Sequence, residues 1–115
     1  MKVLPCFLVL LVLCFLPSCQ AHRFGTEVEF AARLASLELW QEAYDRWERA
    51  LSVEANKAHL LNNMAVALEA MGRLEEAADT YDRALTLEPA NQQIQNNRQR
   101  LNRLLQSGRK QGEKQ

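Results

Sequence analysis

The chain has 115 residues, of which 14 are Lys or Arg and 14 Asp or Glu, so its formal net charge is zero. That length excludes more than one small domain and sits near the lower end for a self-sufficient core. The balance conceals a polarity: residues 22–90 carry 7 Lys/Arg against 13 Asp/Glu, net −6, whereas residues 91–115 carry 6 against Glu113 alone, net +5.

The first element is an apolar run from Val3 to Leu16 behind Met1-Lys2, followed by Pro17, Ser18 and Cys19. A basic residue, a short apolar run and then small residues predict a secretory signal over 1–18. The run falls short of the ~20 apolar residues of a comfortable membrane span, and Pro5 and Pro17 sit badly in a spanning helix. Leu16-Pro17-Ser18-Cys19 resembles a bacterial lipobox. The resemblance implies cleavage before Cys19, lipid on that residue, a short linker over 19–23, and residence in the bacterial envelope. With Gln20 rather than Asp behind the Cys, it implies the periplasmic face of the outer membrane. Cleavage after Ala21 is the alternative and would leave a soluble periplasmic or secreted protein. Cys6 and Cys14 lie in the segment to be removed, so the mature chain has no disulfide framework and no cysteine pair for a metal.

Residues 24–91 then state one pattern twice, 34 residues apart. Phe30 returns as Met64, Ala31 as Ala65, Leu34 as Leu68, Ala43 as Ala77, Trp47 as Tyr81, and Ala50-Leu51 as Ala84-Leu85. A fixed period of this length marks a repeat made of one supersecondary unit. In the first copy, Thr26-Glu27-Val28-Glu29 fits a capping box, and Phe30, Ala31 and Leu34 share a helix face. A tight turn within Ser36–Leu39 leads to a second helix whose face is Trp40, Ala43, Tyr44, Trp47, Ala50 and Leu51. In the second copy, Leu60, Leu61, Met64, Ala65 and Leu68 form a helix that ends at Gly72, a residue suited to the left-handed position after a helix. Leu74, Ala77, Ala78, Tyr81, Ala84 and Leu85 form the next, which stops before Pro89. The alanines are expected where antiparallel helices cross closest. Trp47 and Tyr81 are expected to fill the space between helix pairs. Glu42/Arg46, Asp45/Arg49 and Asp79/Arg83 are acid-first pairs four apart that support helices.

Leu61, Met64, Ala65, Leu68, Gly72, Ala77, Tyr81, Ala84 and Pro89 resemble the signature of a tetratricopeptide repeat over 58–91. The copy over 24–57 is degenerate, with Glu27, Glu38 and Ala55 at the positions of the early apolar residue, the turn glycine and the proline. The resemblance implies an all-α solenoid of antiparallel helix pairs. Asn96-Asn97 repeats Asn62-Asn63, so 92–107 reads as a further first helix, docked through Ile94, Leu101 and Leu105. Gln95, Arg98, Gln99 and Asn102 are polar where a following helix would pack, which makes this a capping helix. Residues 108–115 read as a disordered polar tail.

No motif for a catalytic centre, phosphate loop or metal site is present. His59 has no second ligand at a useful spacing, and Glu75-Glu76 fit the positive end of a helix. The expectation is therefore a non-enzymatic protein with no cofactor and no metal. The resemblance implies a concave groove along the first helix of each pair that binds a partner peptide or protein. The groove would include Val28, Ala32, Ser36, His59, Asn62, Asn63, Val66 and Glu69, with Asn96, Asn97, Arg100 and Arg103 from the cap. Asn amides can bond a peptide backbone as donor and acceptor, and Arg100 could hold a carboxylate. The same asparagines could equally be repeat-stabilising residues. The resemblance implies a grip on a peptide C-terminus by Lys, Asn and Arg in this groove, but Val28 stands at the position of the Lys, which tells against a full carboxylate clamp. A pilot or assembly factor for an envelope machine and a homodimer that lengthens the array are the rival expectations. Secretion argues against nucleic acid as the partner of the basic end. Anionic lipid headgroups remain as its alternative target.

Overall fold

The computed structural model describes residues 27–54 and 56–112. The expected signal, Cys19 and the Thr26 side of the capping box lie outside those residues, as do 55 and 113–115. Five helices and no strand occur among the described residues: α1 over 27–36, α2 Trp40–Leu51, α3 Lys57–Ala70, α4 Leu74–Leu87 and α5 Gln92–Gly112. Each helix packs on its neighbours in the chain, and α3, the first helix of the second pair, packs on both α2 and α4 and belongs to both core clusters. Accordingly 8 of its 14 residues are buried.

Local chemistry sets where these helices begin. The Asn56 side chain accepts from the His59 N–H at 3.1 Å and caps α3. Asn91 accepts from the N–H groups of Gln93 and Ile94 at 3.1 and 3.2 Å and caps α5. Glu75 and Glu76 occupy the first turn of α4, where the helix dipole favours anions. Arg73 holds Glu76 by two bonds of 2.7 and 2.6 Å, and this guanidinium keeps the Glu76 carboxyl below its ordinary range.

The turns within the two pairs are superimposable in their bonding. Arg73 N–H reaches Leu68 O and Gly72 N–H reaches Glu69 O, at 2.9 Å each. One period earlier, Leu39 N–H reaches Leu34 O and Glu38 N–H reaches Ala35 O, at 3.0 Å each. Both are Schellman closures. Gly72 sits at φ 77 and Glu38 at φ 61, so the degenerate copy keeps the turn without the glycine. A left-handed non-glycine residue costs about 1–2 kcal/mol, and the packed helices on either side hold Glu38 there.

The repeated alanines lie in the core. Ala31, Ala43, Ala65, Ala77 and Ala84 are fully buried and Ala50 nearly so. Trp47 and Tyr81 are buried at equivalent places, Trp47 between α1, α2 and α3 and Tyr81 among α3, α4 and α5. Phe30 departs from its repeat partner: Met64 is 2% exposed and Phe30 38%. Met64 is covered by the first helix pair, whereas no earlier pair among the described residues covers Phe30, and the Arg46 guanidinium lies 4.4 Å over its ring. Arg46 also pairs with Glu27 across the helices at 2.7 Å, rather than with Glu42 along its own helix. None of the three acid-first pairs is an ion pair in the structure.

The cap docks as its apolar residues require. Ile94 and Leu101 are buried, Leu105 is half-buried on the second-repeat core, and Leu104 is exposed. Burying one such aliphatic side chain stabilises by about 1.5–3 kcal/mol. Arg98 ties the cap to the outer helix through Asp82 at 2.8 and 3.0 Å. The helix does not end at Ser107: it continues through 108–112, residues expected to be disordered, with every side chain from Gln106 onward exposed. Gln, Arg and Lys are good helix formers, and Arg109 and Lys110 in the last turn complement the negative helix end.

Candidate functional site

Helices α1, α3 and α5 share one face of the array. A cavity of about 350 Å³ opens on it, lined by Ala32, Ala35 and Ser36 of α1, Asn62, Asn63 and Val66 of α3, and Gln93 and Asn97 of α5. Trp40 and Trp47 of α2 supply the remaining wall. No charged side chain lines it.

Six residues of the anticipated groove meet here: Ala32, Ser36, Asn62, Asn63, Val66 and Asn97. Two of them are bonded to each other. Asn97 donates to Asn62 Oδ1 at 3.0 Å, and Asn62 is buried. That bond joins α5 to α3, so it gives this pair a stabilising task of its own. Asn63 is half-buried, and among the described residues its amide reaches only His59 Nε2, at 3.5 Å. His59 itself is exposed at the start of α3.

Arg100 and Glu69 lie outside the cavity and satisfy one another. Arg100 donates to Glu69 Oε1 at 2.9 Å, and the same oxygen accepts from the Tyr81 hydroxyl at 2.6 Å. Tyr81 is fully buried, and burial followed by the bond to Glu69 pushes its hydroxyl well above the ordinary tyrosine range. Arg100 thus holds a carboxylate, as its chemistry suggests, but the carboxylate belongs to this chain. Asn96 is exposed and accepts from Gln92 at 3.0 Å, and Arg103 is exposed farther along α5. Val28 packs on the first-repeat core and is not part of the cavity wall.

Four wall residues were absent from the anticipated groove: Ala35, Trp40, Trp47 and Gln93. Trp40 and Trp47 belong to the second helix of their pair, and a reading confined to first helices passes over them. For Ala35 the signal was the copy comparison itself, because it stands where the second copy has Glu69. Other concavities lie at the opposite edge, around Lys57 and Leu87 near the link between the pairs. Among the described residues, no group of three His, Cys, Asp or Glu side chains is placed to hold a metal ion. None of the described helices is long and apolar enough to cross a membrane.

The profile of the tetratricopeptide repeat matches residues 58–91. Among solved structures, the chain is similar to the C-terminal tetratricopeptide-containing domain of a Plasmodium falciparum FK506-binding protein, with a TM-score of 0.66 and 25% identity. That similarity covers 76% of this chain and 58% of the other, so this chain spans little more than half of that one. No curated protein matches it.

Proposed function

This chain is a tetratricopeptide repeat protein, and from that premise we propose that it is a non-catalytic module that holds an extended segment of a partner protein along α1, α3 and α5. The observation that carries the reading is the uncharged cavity on that face, lined by the amides of Asn62, Asn63, Gln93 and Asn97, two tryptophans, and the apolar Ala32, Ala35 and Val66. Extended peptides need both kinds of surface: apolar contact for side chains, and groups that donate and accept for the backbone. The apolar run ending in Leu16-Pro17-Ser18-Cys19 supports a lipid on Cys19 and a place on the bacterial envelope. The partner would then be an envelope protein.

Site-specific photocrosslinking in bacteria that express the full chain tests the groove. A benzophenone side chain at Ser36 or Gln93 should give a discrete adduct, and one at Arg83 on the outer helix should not. Adducts from Arg83 alone would place the partner on the other face. Labelled palmitate tests the anchor: wild type should incorporate it and Cys19→Ser should not. A mature N-terminus at His22 would remove the anchor and leave a soluble protein.

A further inference from the structure

The cavity lies where one inter-repeat junction has small and aromatic side chains in place of the other's charged ones. Where the second repeat meets the cap, Glu69 and Arg100 pair across the helices and Tyr81 bonds the same carboxylate. One period of 34 earlier, Glu69 corresponds to Ala35, Arg100 to Val66, Tyr81 to Trp47 and Leu74 to Trp40. All four of the earlier residues line the cavity. An ion pair crosses the second junction, and its counterpart at the first is an open, uncharged space.

Most of its wall is reachable from solvent. Ala32 is exposed, and Ala35, Trp40 and Val66 are half-buried. Trp47 and Asn62 are buried, so contact with a ligand falls to the other wall residues. Two of those carry amides free to serve a peptide backbone. Gln93 is exposed, and among the described residues only its backbone is bonded. Asn63 reaches only His59, at the 3.5 Å limit of a hydrogen bond. The cavity of about 350 Å³ is near the lower end for ligand sites, about 300 Å³, which suits one large side chain.

We infer that this cavity is a subsite for an aromatic side chain of the bound segment, phenylalanine above all, whose ring packs on Ala35, Trp40 and Val66. The inference rests on the groove reading above and deepens it. A charged side chain would leave water for a wall that holds no counter-ion, which is costly. An aliphatic side chain would be covered as well as a ring but would gain less from Trp40, because aromatic rings stabilise one another beyond the area they bury. The half-buried indole at position 40, where the second copy has the aliphatic Leu74, therefore favours an aromatic occupant. Asn63 and Gln93 then hold the adjoining backbone as donors and acceptors.

The test follows the fluorine signal of N-acetyl-4-fluorophenylalanine methylamide as the full chain is added. The signal should shift to saturation. Unlabelled N-acetylphenylalanine methylamide should reverse the shift, the leucine analogue should do so about fivefold more weakly, and the glutamate analogue should not. Ala35→Glu combined with Val66→Arg, which carries the second junction's pair into the cavity, should abolish the shift. Ala32→Leu, a neutral change at an exposed wall position, should weaken it, and Arg103→Ala should leave it unchanged. Melting curves confirm that each variant is folded. No saturable shift, competition by leucine or glutamate equal to that by phenylalanine, or full binding by both folded cavity variants would each overturn the aromatic subsite. Crosslinks from Ser36 and Gln93 would then still uphold the groove, and their absence would remove that reading separately.

Discussion

The two junctions of this array share a backbone plan and differ in what closes them. Between the second repeat and the cap, a buried tyrosine, a carboxylate and a guanidinium converge, and an asparagine pair lies beside them. Between the first and second repeats the same positions hold an indole, a methyl and an isopropyl group. Fully buried alanines lie in the core of both places, Ala31, Ala43 and Ala67 in one and Ala65, Ala77 and Ala84 in the other. The comparison separates two tasks that a repeat position can serve. Alanine at the crossings fixes geometry. The polar triad bonds the helices across one junction, and its equivalent is absent from the other.

Weakening the sealed junction should have the largest effect. Leu101 is fully buried against the second repeat, and Leu101→Ala should cost about 2–5 kcal/mol. Leu105→Ala, at a half-buried position on the same face, should cost less. Denaturant unfolding of both variants checks the order. Equal losses would mean that the cap is held along its whole length rather than by its first turns.

Next come the shared crossings. Ala43 and Ala77 are equivalent and fully buried, so Ala43→Leu and Ala77→Leu should each destabilise by about 1–3 kcal/mol through overpacking. A melting temperature untouched by either change would break the equivalence of the two pairs.

The triad itself has a pH signature. Tyr81 keeps its proton in the folded chain to higher pH than in the unfolded one, because it is buried and donates to Glu69. Its contribution is therefore intact below the ordinary tyrosine pKa of about 10 and is lost as pH rises beyond it. Tyr44 is shifted in the same direction, chiefly by burial, so part of the alkaline slope should survive in Tyr81→Phe. That variant should also lose about 1–3 kcal/mol at neutral pH, since it removes a hydrogen bond to a charged group. An unaltered alkaline limb would show that Tyr81 does not seal the junction as described.

The smallest effects belong to the turns. Gly72→Ala should cost about 1 kcal/mol through strain alone, as no atom lies within 4 Å of an added Cβ. Glu38→Gly should stabilise by less than about 1 kcal/mol, because relief of the left-handed side chain is partly offset by a more flexible unfolded chain. Opposite signs at two superimposable turns, read from melting curves, would sharpen the comparison.

Much of the fold was legible before any coordinates. Periodicity exposed the helices, and the 34-residue repeat aligned Ala31 with Ala65, Ala43 with Ala77 and Trp47 with Tyr81. The apolar face Ile94, Leu101 and Leu105 identified the cap. These properties are local, or repeat at fixed intervals, so the order of residues determines them. Tertiary structure decided the rest. Glu38 occupies a glycine conformation because the helices on both sides demand the turn. Arg100 reaches Glu69 across 31 residues, and Asn97 reaches Asn62 across 35. Four residues proposed from sequence to face a ligand are thereby committed to one another, in two pairs. Trp47 looked like core filling alone, and its unpaired N–H emerged only once Ala35 and Val66 were seen beside it. Sequence specifies which groups can bond, but the packing of successive helices determines which of them find a partner and which remain unpaired.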